Sequence, residues 1–142
     1  YIELIEKSES VCIHVRTPQK TEKTLTKYQD ELLDSSYYNQ AIERIVKKTG
    51  GNSVFFVFAR DLSWAKENLP NRYKYIFIDL KQTNDLFEFI TMTKCKSHII
   101  ANSTFSWWAA YISESDTVFY RNHDKLHTGV EGQYFPSQWE KI

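Results

Sequence analysis

Residues 98–112 read HIIANSTFSWWAAYI and contain two consecutive elements of the predicted fold. The run 98–101 is short and mostly apolar, which is typical of a buried strand. From residue 104 to residue 112 the sequence is apolar on nearly every side, as in a helix buried in a core. Asn102 and Ser103 stand between the two segments and are residue types that open helices. The stretch therefore predicts a strand, a tight turn and a helix in succession.

The same alternation continues along the rest of the chain. Short apolar runs bounded by charged or turn residues predict buried strands. These runs are residues 11–15, 53–58, 75–79 and, more weakly, 117–120. Helical spacing is found around residues 38–46, 61–68 and 84–94. Strands that alternate with helices indicate a parallel sheet covered on both faces, so we predict an α/β, Rossmann-like fold.

The first long helix has recognisable ends. Ser35 or Ser36 is expected to supply its N-cap. Lys47 and Lys48 suit the negative end of the helix dipole, and the pair Gly50–Gly51 is expected to end the helix.

Composition narrows the class of protein. The chain has 142 residues, a size typical of one domain, and its 42% apolar and 25% charged residues are ordinary for a globular protein. Eighteen basic residues balance eighteen acidic ones, so no nucleic-acid partner is expected. No apolar run reaches the roughly 20 residues that a membrane span needs, and no signal peptide opens the chain, so no transmembrane segment is expected.

Cysteine and histidine usage indicates no metal site. Cys12 and Cys95 are too few for a disulfide framework, and we interpret them as small buried hydrophobic residues. The four histidines show no close ligand pairing, and no Asp-x-Asp element is present to hold a divalent ion. A Walker sequence and a G-x-G-x-x-G element are absent as well.

Two regions break the periodic pattern. Residues 17–34 are polar, contain Pro18 and follow the first predicted strand, where α/β proteins place ligand loops. Residues 122–142 are irregular and end with the aromatic side chains of Phe135 and Trp139. We expect this tail to pack back on the domain.

In a doubly wound sheet, ligands bind beyond the carboxyl ends of the strands. Asn102, Ser103 and Thr104 lie at such a position, where backbone N–H groups lack helical partners and the helix dipole is positive. They predict an anion site. The alternative is that Asn102 or Ser103 only caps the helix.

His14 and Arg16 lie at the end of the first predicted strand and alternate onto the same face. The planar guanidinium of Arg16 can hold two phosphate oxygens, although a surface ion pair is the alternative. His14 is a candidate general base, and a structural hydrogen-bonding role is the alternative.

Further candidates lie at other strand ends. Asp61, Asp79 and Asp85 are able to accept hydrogen bonds from a ribose or a guanine edge. Asp61 and Asp85 equally suit the first turns of helices. For Trp107 and Trp108 we favour core packing over stacking on a sugar.

The run IANSTFSWWAAY at residues 100–111 resembles the C-terminal motif of glycosyltransferase family 11, the α-1,2-fucosyltransferases. Residues 11–16 resemble the His-x-Arg motif of that family. Three further segments share the family's pattern: residues 58–69, similar to its Ser-Asp-Asp-x-x-Trp element, the spacing from residue 85 to residue 98, and the terminus at residues 135–139.

The resemblance implies an enzyme. Such a chain is the C-terminal Rossmann-like domain of a GT-B-type transferase, with residues 1–142 as one GDP-sugar-binding domain and the acceptor-side domain elsewhere. The family moves fucose from GDP-fucose to the 2-hydroxyl of a galactoside, with inversion and without a metal or other cofactor. The implied partners are a GDP-sugar donor and a galactose-containing glycan. A domain of this kind is expected to be inactive alone, and the implied location is the bacterial cytoplasm, at or near the inner membrane.

The resemblance also assigns roles to residues. Arg16 is implied to contact the β-phosphate, with His14 beside it in the catalytic motif. Ser103, Thr104 and Phe105 are implied to hold the diphosphate and the nucleoside. The full donor-binding set that we predict is Asp61, Asp79, Asp85, Asn102, Ser103, Thr104, Phe105 and Ser106.

Two positions depart from the family pattern. Gln19 stands where the His-x-Arg-x-x-Asp motif has its acid, and Ala59-Arg60-Asp61 replaces Ser-Asp-Asp. These changes leave open a degenerate nucleotide-sugar-binding module or a transferase with another donor. A flavodoxin-like regulatory domain is a further alternative, for which residues 102–108 would be only cap and core.

Overall fold

A computed structural model describes residues 1–16, 33–79, 84–121 and 135–142. The helices of this part are α1 Ile2–Glu6, α2 Ser35–Thr49, α3 Leu62–Asn68, α4 Asp85–Thr93 and α5 Thr104–Ile112. The strands are β1 Glu9–Val15, β2 Ser53–Ala59, β3 Tyr75–Asp79, β4 Ser97–Ile99, β5 Thr117–Tyr120 and β6 Glu140–Lys141. All the strands pair in parallel in one sheet, which confirms the predicted α/β, Rossmann-like class.

The strand order β3-β2-β1-β4-β5-β6 places the first strand in the middle of the sheet. The chain builds outward from β1 through β2 and β3, and then crosses back to place β4 on the other side of β1. The order therefore reverses between β1 and β4. In open α/β sheets the crevice outside the carboxyl ends of such a pair is where ligands bind.

Alternation along β1 separates the two faces of the sheet. Val11, Ile13 and Val15 are buried against α2 and α3, in a core with Tyr37, Ile42 and other α2 residues. Cys12 points to the opposite face, where it packs in a second core with residues of α1, α4 and α5. Cys12 and Cys95 are both buried and free, as predicted.

Helix α2 begins one residue earlier than the sequence suggested. Its N-cap is Asp34, whose carboxylate accepts a hydrogen bond from the backbone N–H of Tyr37 at 3.0 Å. The prediction of Ser35 or Ser36 as the N-cap was wrong, because both already lie inside the first turn. The end is as predicted: Gly50 adopts a left-handed φ of 62°, which glycine tolerates best.

Helix α5 is less buried than its apolar sequence predicts. Only one side, which carries Ser106, Ala109 and Ala110, is covered. Trp108 and Tyr111 are 53% and 52% exposed. The expectation of core packing was therefore wrong for Trp108, because the helix is an outer layer and its far side meets no other described element. Trp107 is partly buried and packs against a core formed by residues of β5, α5 and the tail.

The described end of the tail packs on the domain, as expected. Phe135 stacks on Tyr120 with ring centroids 3.9 Å apart, and Trp139 lies 5.5 Å from Trp107. The polar segment 17–32, including Gln19, and residues 122–134 lie outside the described residues. Within the described ranges, no helix is long and apolar enough to cross a membrane.

Candidate functional site

Arg16 lies immediately after β1, at the point where the strand order reverses. Its Nη1 donates a hydrogen bond to the carbonyl oxygen of Asn102, 3.4 Å away at the end of β4. The side chain is exposed, so its other N–H groups remain accessible. The sheet thus brings together the cation and the turn that sequence analysis singled out separately.

The first N–H groups of α5 have no hydrogen-bond acceptor among the described residues. Ser103 occupies the N-cap position of α5, but its side chain makes no capping hydrogen bond. The first helical bond runs from the N–H of Trp107 to the carbonyl of Ser103 at 3.0 Å. The N–H groups of Thr104, Phe105 and Ser106 therefore precede the first helical donor, Trp107, and an anion is favoured beside them.

Ser106 stabilises this turn from inside. It is fully buried, and its hydroxyl donates to the carbonyl oxygens of Ala101 and Ser103, each at 3.3 Å. Phe105 is partly buried and packs edge-on against Phe89 of α4 with centroids 5.4 Å apart. Thr104 is exposed at the first position of the helix. The hydroxyl of Ser106 thus faces the protein, and a direct donor contact through it stays a prediction.

His14 lies under the same turn. Its ring centroid is 6.2 Å from that of Phe105, and its Nδ1 atom is buried without a hydrogen-bond partner among the described residues. Burial is the main cause that lowers its pKa to about 4, and the charges of Arg16 and Arg60 lower it further. With this pKa the imidazole is uncharged at neutral pH and is a weak base. It is therefore poorly suited to general-base catalysis, which works best with a pKa near the operating pH.

The three predicted aspartates lie at the same edge of the sheet but in different settings. Asp61 is the N-cap of α3, and its Oδ1 accepts from the N–H groups of Ser63 at 3.0 Å and Trp64 at 3.4 Å. Asp85 is exposed in the first turn of α4, where Asn84 is the N-cap. Asp79 ends β3 and is partly buried. Helix capping explains the position of Asp61, and the helix dipole explains that of Asp85. Contacts between the three carboxylates and a nucleotide stay predictions.

Sequence analysis missed Glu88. This residue lies on α4, and only 7% of it is exposed. Burial, and then the charge of Asp85, raises its pKa to about 7, while Arg60 opposes the shift. The available signal was spacing: Glu88 precedes Thr91 and Met92, the buried residues of the same helix, by three and four positions.

Arg60 was noted only as a departure from the family pattern. It follows β2, is exposed, and makes no hydrogen bond or ion pair with the described residues. Its charge influences His14 on β1 and Glu88 on α4. The described residues include no group of three or more His, Cys, Asp or Glu side chains that could hold a metal ion.

The doubly wound parallel sheet, with an arginine and a helix N-terminus at its switch point, defines an α/β domain of the Rossmann-like class that has a candidate anion site. The chain belongs to glycosyltransferase family 11, because the family's sequence profile matches residues 2–141. The resemblance based on residues 100–111 is thus confirmed, and it removes the flavodoxin-like alternative. The fold agrees with the GT-B type of transferase.

Curated relatives agree with this assignment. The chain is 29% identical over 111 residues to the O-antigen biosynthesis glycosyltransferase WbnK of Escherichia coli, a match that covers 78% of the chain and 36% of the relative. It is 32% identical over 124 residues to an Escherichia coli alpha-1,2-colitosyltransferase, covering 80% and 40%. It is 27% identical over 114 residues to human galactoside alpha-(1,2)-fucosyltransferase 1, covering 79% and 31%.

The matched part is between 31% and 40% of the length of these relatives. No solved structure matches the chain.

Proposed function

We propose that this chain is the donor-binding part of an α-1,2-fucosyltransferase, which binds GDP-fucose and delivers fucose to the 2-hydroxyl of a galactoside. The observation that carries the proposal is the position of Arg16 beside the Asn102 turn, where the N-terminus of α5 opens. A guanidinium fork and unpaired backbone N–H groups at one place suit a diphosphate. The names of the human and bacterial relatives support an α-1,2 linkage and a deoxysugar donor.

The proposed reaction is a displacement with inversion at the anomeric carbon. The acceptor hydroxyl oxygen forms the new bond to this carbon as the bond to the β-phosphate oxygen breaks. GDP leaves with the electron pair, and the hydroxyl proton is released to solvent. Arg16 and the N–H groups of Thr104 and Phe105 stabilise the charge that develops on the β-phosphate. His14 is neutral under the turn, and its buried ring supports Phe105 of α5 by packing rather than acting as the base.

The proposal includes metal independence. In this scheme the guanidinium of Arg16 and the positive end of α5 supply the charge that a divalent ion would otherwise place beside the diphosphate. Asp79 and Asp85, at the end of β3 and the start of α4, are the candidates for the ribose or guanine contacts. Asp61 contributes by fixing α3 through its cap.

A second candidate is transfer of another sugar from a nucleotide donor. The relative with 32% identity is a colitosyltransferase, so a donor other than GDP-fucose has direct support. Transfer assays with GDP-fucose and with other nucleotide-sugars, using a galactoside acceptor, separate the two donors. A third reading, a module that binds the donor without transfer, predicts binding with no product in any of these assays.

The first test is calorimetric titration of the chain with GDP, with UDP and ADP as comparisons. GDP is expected to bind more tightly than UDP and ADP, and Arg16→Ala is expected to weaken this binding. Arg44→Ala is the matched control, because Arg44 is an exposed arginine of α2 that contacts only the carbonyl of Lys141, among the described residues. A folded chain that binds none of these nucleotides contradicts the proposal.

A further inference from the structure

Arg60 and Arg16 occupy equivalent positions on neighbouring strands. In the parallel register of β1 and β2, Val15 lies opposite Ala59, and each arginine is the next residue. Side chains alternate along a strand, so both arginines continue the row that carries His14 and Phe58. Phe58 packs in the core below α4 and α5, and His14 contacts Phe105 of α5. The two guanidinium groups therefore emerge on the side of the sheet where α4 and α5 begin.

No carboxylate among the described residues forms an ion pair with either arginine, so both guanidinium groups are available to an anionic ligand. Arg60 has no hydrogen-bond or ion-pair partner among them, and the described hydrogen bond of Arg16 goes to a neutral carbonyl. Asp61, which is adjacent in sequence, directs a carboxylate oxygen to the N–H groups that open α3. Glu88 is buried on α4, and its raised pKa of about 7 leaves it partly protonated at neutral pH.

We propose that Arg60 is a second donor-binding residue, which forms with Arg16 a two-arginine clamp on the diphosphate of the nucleotide-sugar. This inference rests on the function proposed above and deepens it. Each guanidinium presents a planar fork that can hold two phosphate oxygens, and a diphosphate offers one phosphate to each arginine. A nucleoside monophosphate occupies only one of the two forks.

The clamp gives a physical meaning to a departure in the sequence. Arg60 stands where the resembling family element has an acid, and from the sequence alone this change supported loss of function. A basic residue at the carboxyl end of β2, beside the strand that carries Arg16, adds favourable charge for a diphosphate rather than removing it. The clamp therefore makes Arg60 an active part of the site in this chain.

The test compares GMP and GDP by calorimetry on the chain and on five variants, one of which is the Arg16→Ala variant of the first test. Arg60→Ala is expected to weaken GDP binding by about 10–100-fold, as for loss of one charged hydrogen-bonding group, and to weaken GMP binding less. The GDP affinity of Arg60→Lys is expected to lie between those of the parent and Arg60→Ala, because an ammonium group keeps the charge but loses the planar fork. Arg60→Asp, which introduces the acid of the family pattern, is expected to weaken GDP binding most, and Arg44→Ala is expected to bind like the parent.

The outcomes separate the clamp from the function beneath it. If the parent binds GDP and Arg16→Ala loses it, but Arg60→Ala and Arg60→Asp bind like the parent, the clamp is wrong and the proposed function stands. Tighter GDP binding by Arg60→Asp also overturns the clamp and favours an acid at this position. If the folded parent binds neither GDP nor GMP, both proposals fall. Circular dichroism and thermal unfolding confirm that the exposed substitutions leave the fold intact.

Discussion

The guanidinium of Arg16 donates a hydrogen bond to the carbonyl oxygen of Asn102 across a distance of 3.4 Å, and the two residues are 86 positions apart in sequence. This contact joins the carboxyl end of β1 to the turn that opens α5. It places a fixed positive charge next to the backbone N–H groups that precede the first helical donor of α5, Trp107. The candidate anion site therefore consists of two separate segments that meet because β1 and β4 are neighbours.

The first prediction concerns turnover. In an enzyme that contains this domain together with its acceptor-side domain, Arg16→Ala is expected to lower the rate of sugar transfer by about 10²–10³-fold, the usual effect of removing one donor that stabilises charge in the transition state. The rate is measured from GDP release and product formation with a galactoside acceptor. Arg44→Ala, in the same background, is expected to retain the parental rate. A parental rate in Arg16→Ala would remove this residue from the mechanism.

The second prediction concerns the turn behind the site. The buried hydroxyl of Tyr37 lies 2.8 Å from the carbonyl oxygen of Ile100 and 2.9 Å from that of Phe119. Tyr37→Phe leaves these acceptors without this donor and is expected to lower the free energy of unfolding by about 1–3 kcal/mol. Urea denaturation measures the change. Tyr111→Phe is the control, because Tyr111 is 52% exposed, and equal stability of the two variants would argue against the role of the hydroxyl.

The third prediction is a pH dependence set by Glu88. Its pKa rises from the ordinary 4.5 to about 7 in the folded protein, mainly because it is buried. The folded state therefore binds this proton more tightly, so the stability that Glu88 contributes is full below pH 4.5 and is lost as the pH rises through about 7. Glutamine does not titrate, so Glu88→Gln does not lose stability in this way. The free energy of unfolding of the variant, relative to that of the parent, is expected to increase by about 1–3 kcal/mol between pH 4.5 and pH 8.

Thermal and urea unfolding of both proteins at the two pH values measure this difference. His14 and His98 have lowered pKa values of about 4, so their contribution is present above pH 6.5 and is lost as the pH falls toward 4. Both histidines are present in parent and variant, and their effect cancels in the comparison. A stability difference that is the same at pH 4.5 and pH 8 would show that Glu88 does not titrate in this range.

The fourth prediction distinguishes helix capping from ligand binding at Asp61. Asp61→Ala removes the cap of α3 and is expected to cost about 0.5–2 kcal/mol of stability. Asp61→Asn keeps an oxygen acceptor for Ser63 and Trp64 and is expected to unfold like the parent. Its GDP affinity, measured by calorimetry, is expected to stay within about twofold of the parent, since the observed carboxylate contacts are with backbone N–H groups. Weaker GDP binding with unchanged stability would instead show that the charge contacts the nucleotide.

Local sequence predicted an element well where a short apolar run or a helix-ending glycine marked it. The apolar run of β2 is buried at every position, and Gly50 ends α2 as expected. The same kind of argument was wrong at Trp108, because an apolar sequence shows that a helix can be buried but not how many layers cover it. Glu88 was missed for a related reason: its burial depends on how α4 lies on the sheet.

Periodicity and the contiguous motif at residues 100–111 were enough to predict β1 to β5, α2 to α5, the Rossmann-like class and the family, but not the short elements α1 and β6. Which strand ends are neighbours could be learned only from the folded structure. The fold brings Arg16 to Asn102, places Arg60 and Arg16 at the ends of neighbouring strands, and buries the Glu88 side chain of α4. Local sequence cannot specify such contacts, because they depend on strand order and register, which arise when segments far apart in the chain bury their apolar faces against each other.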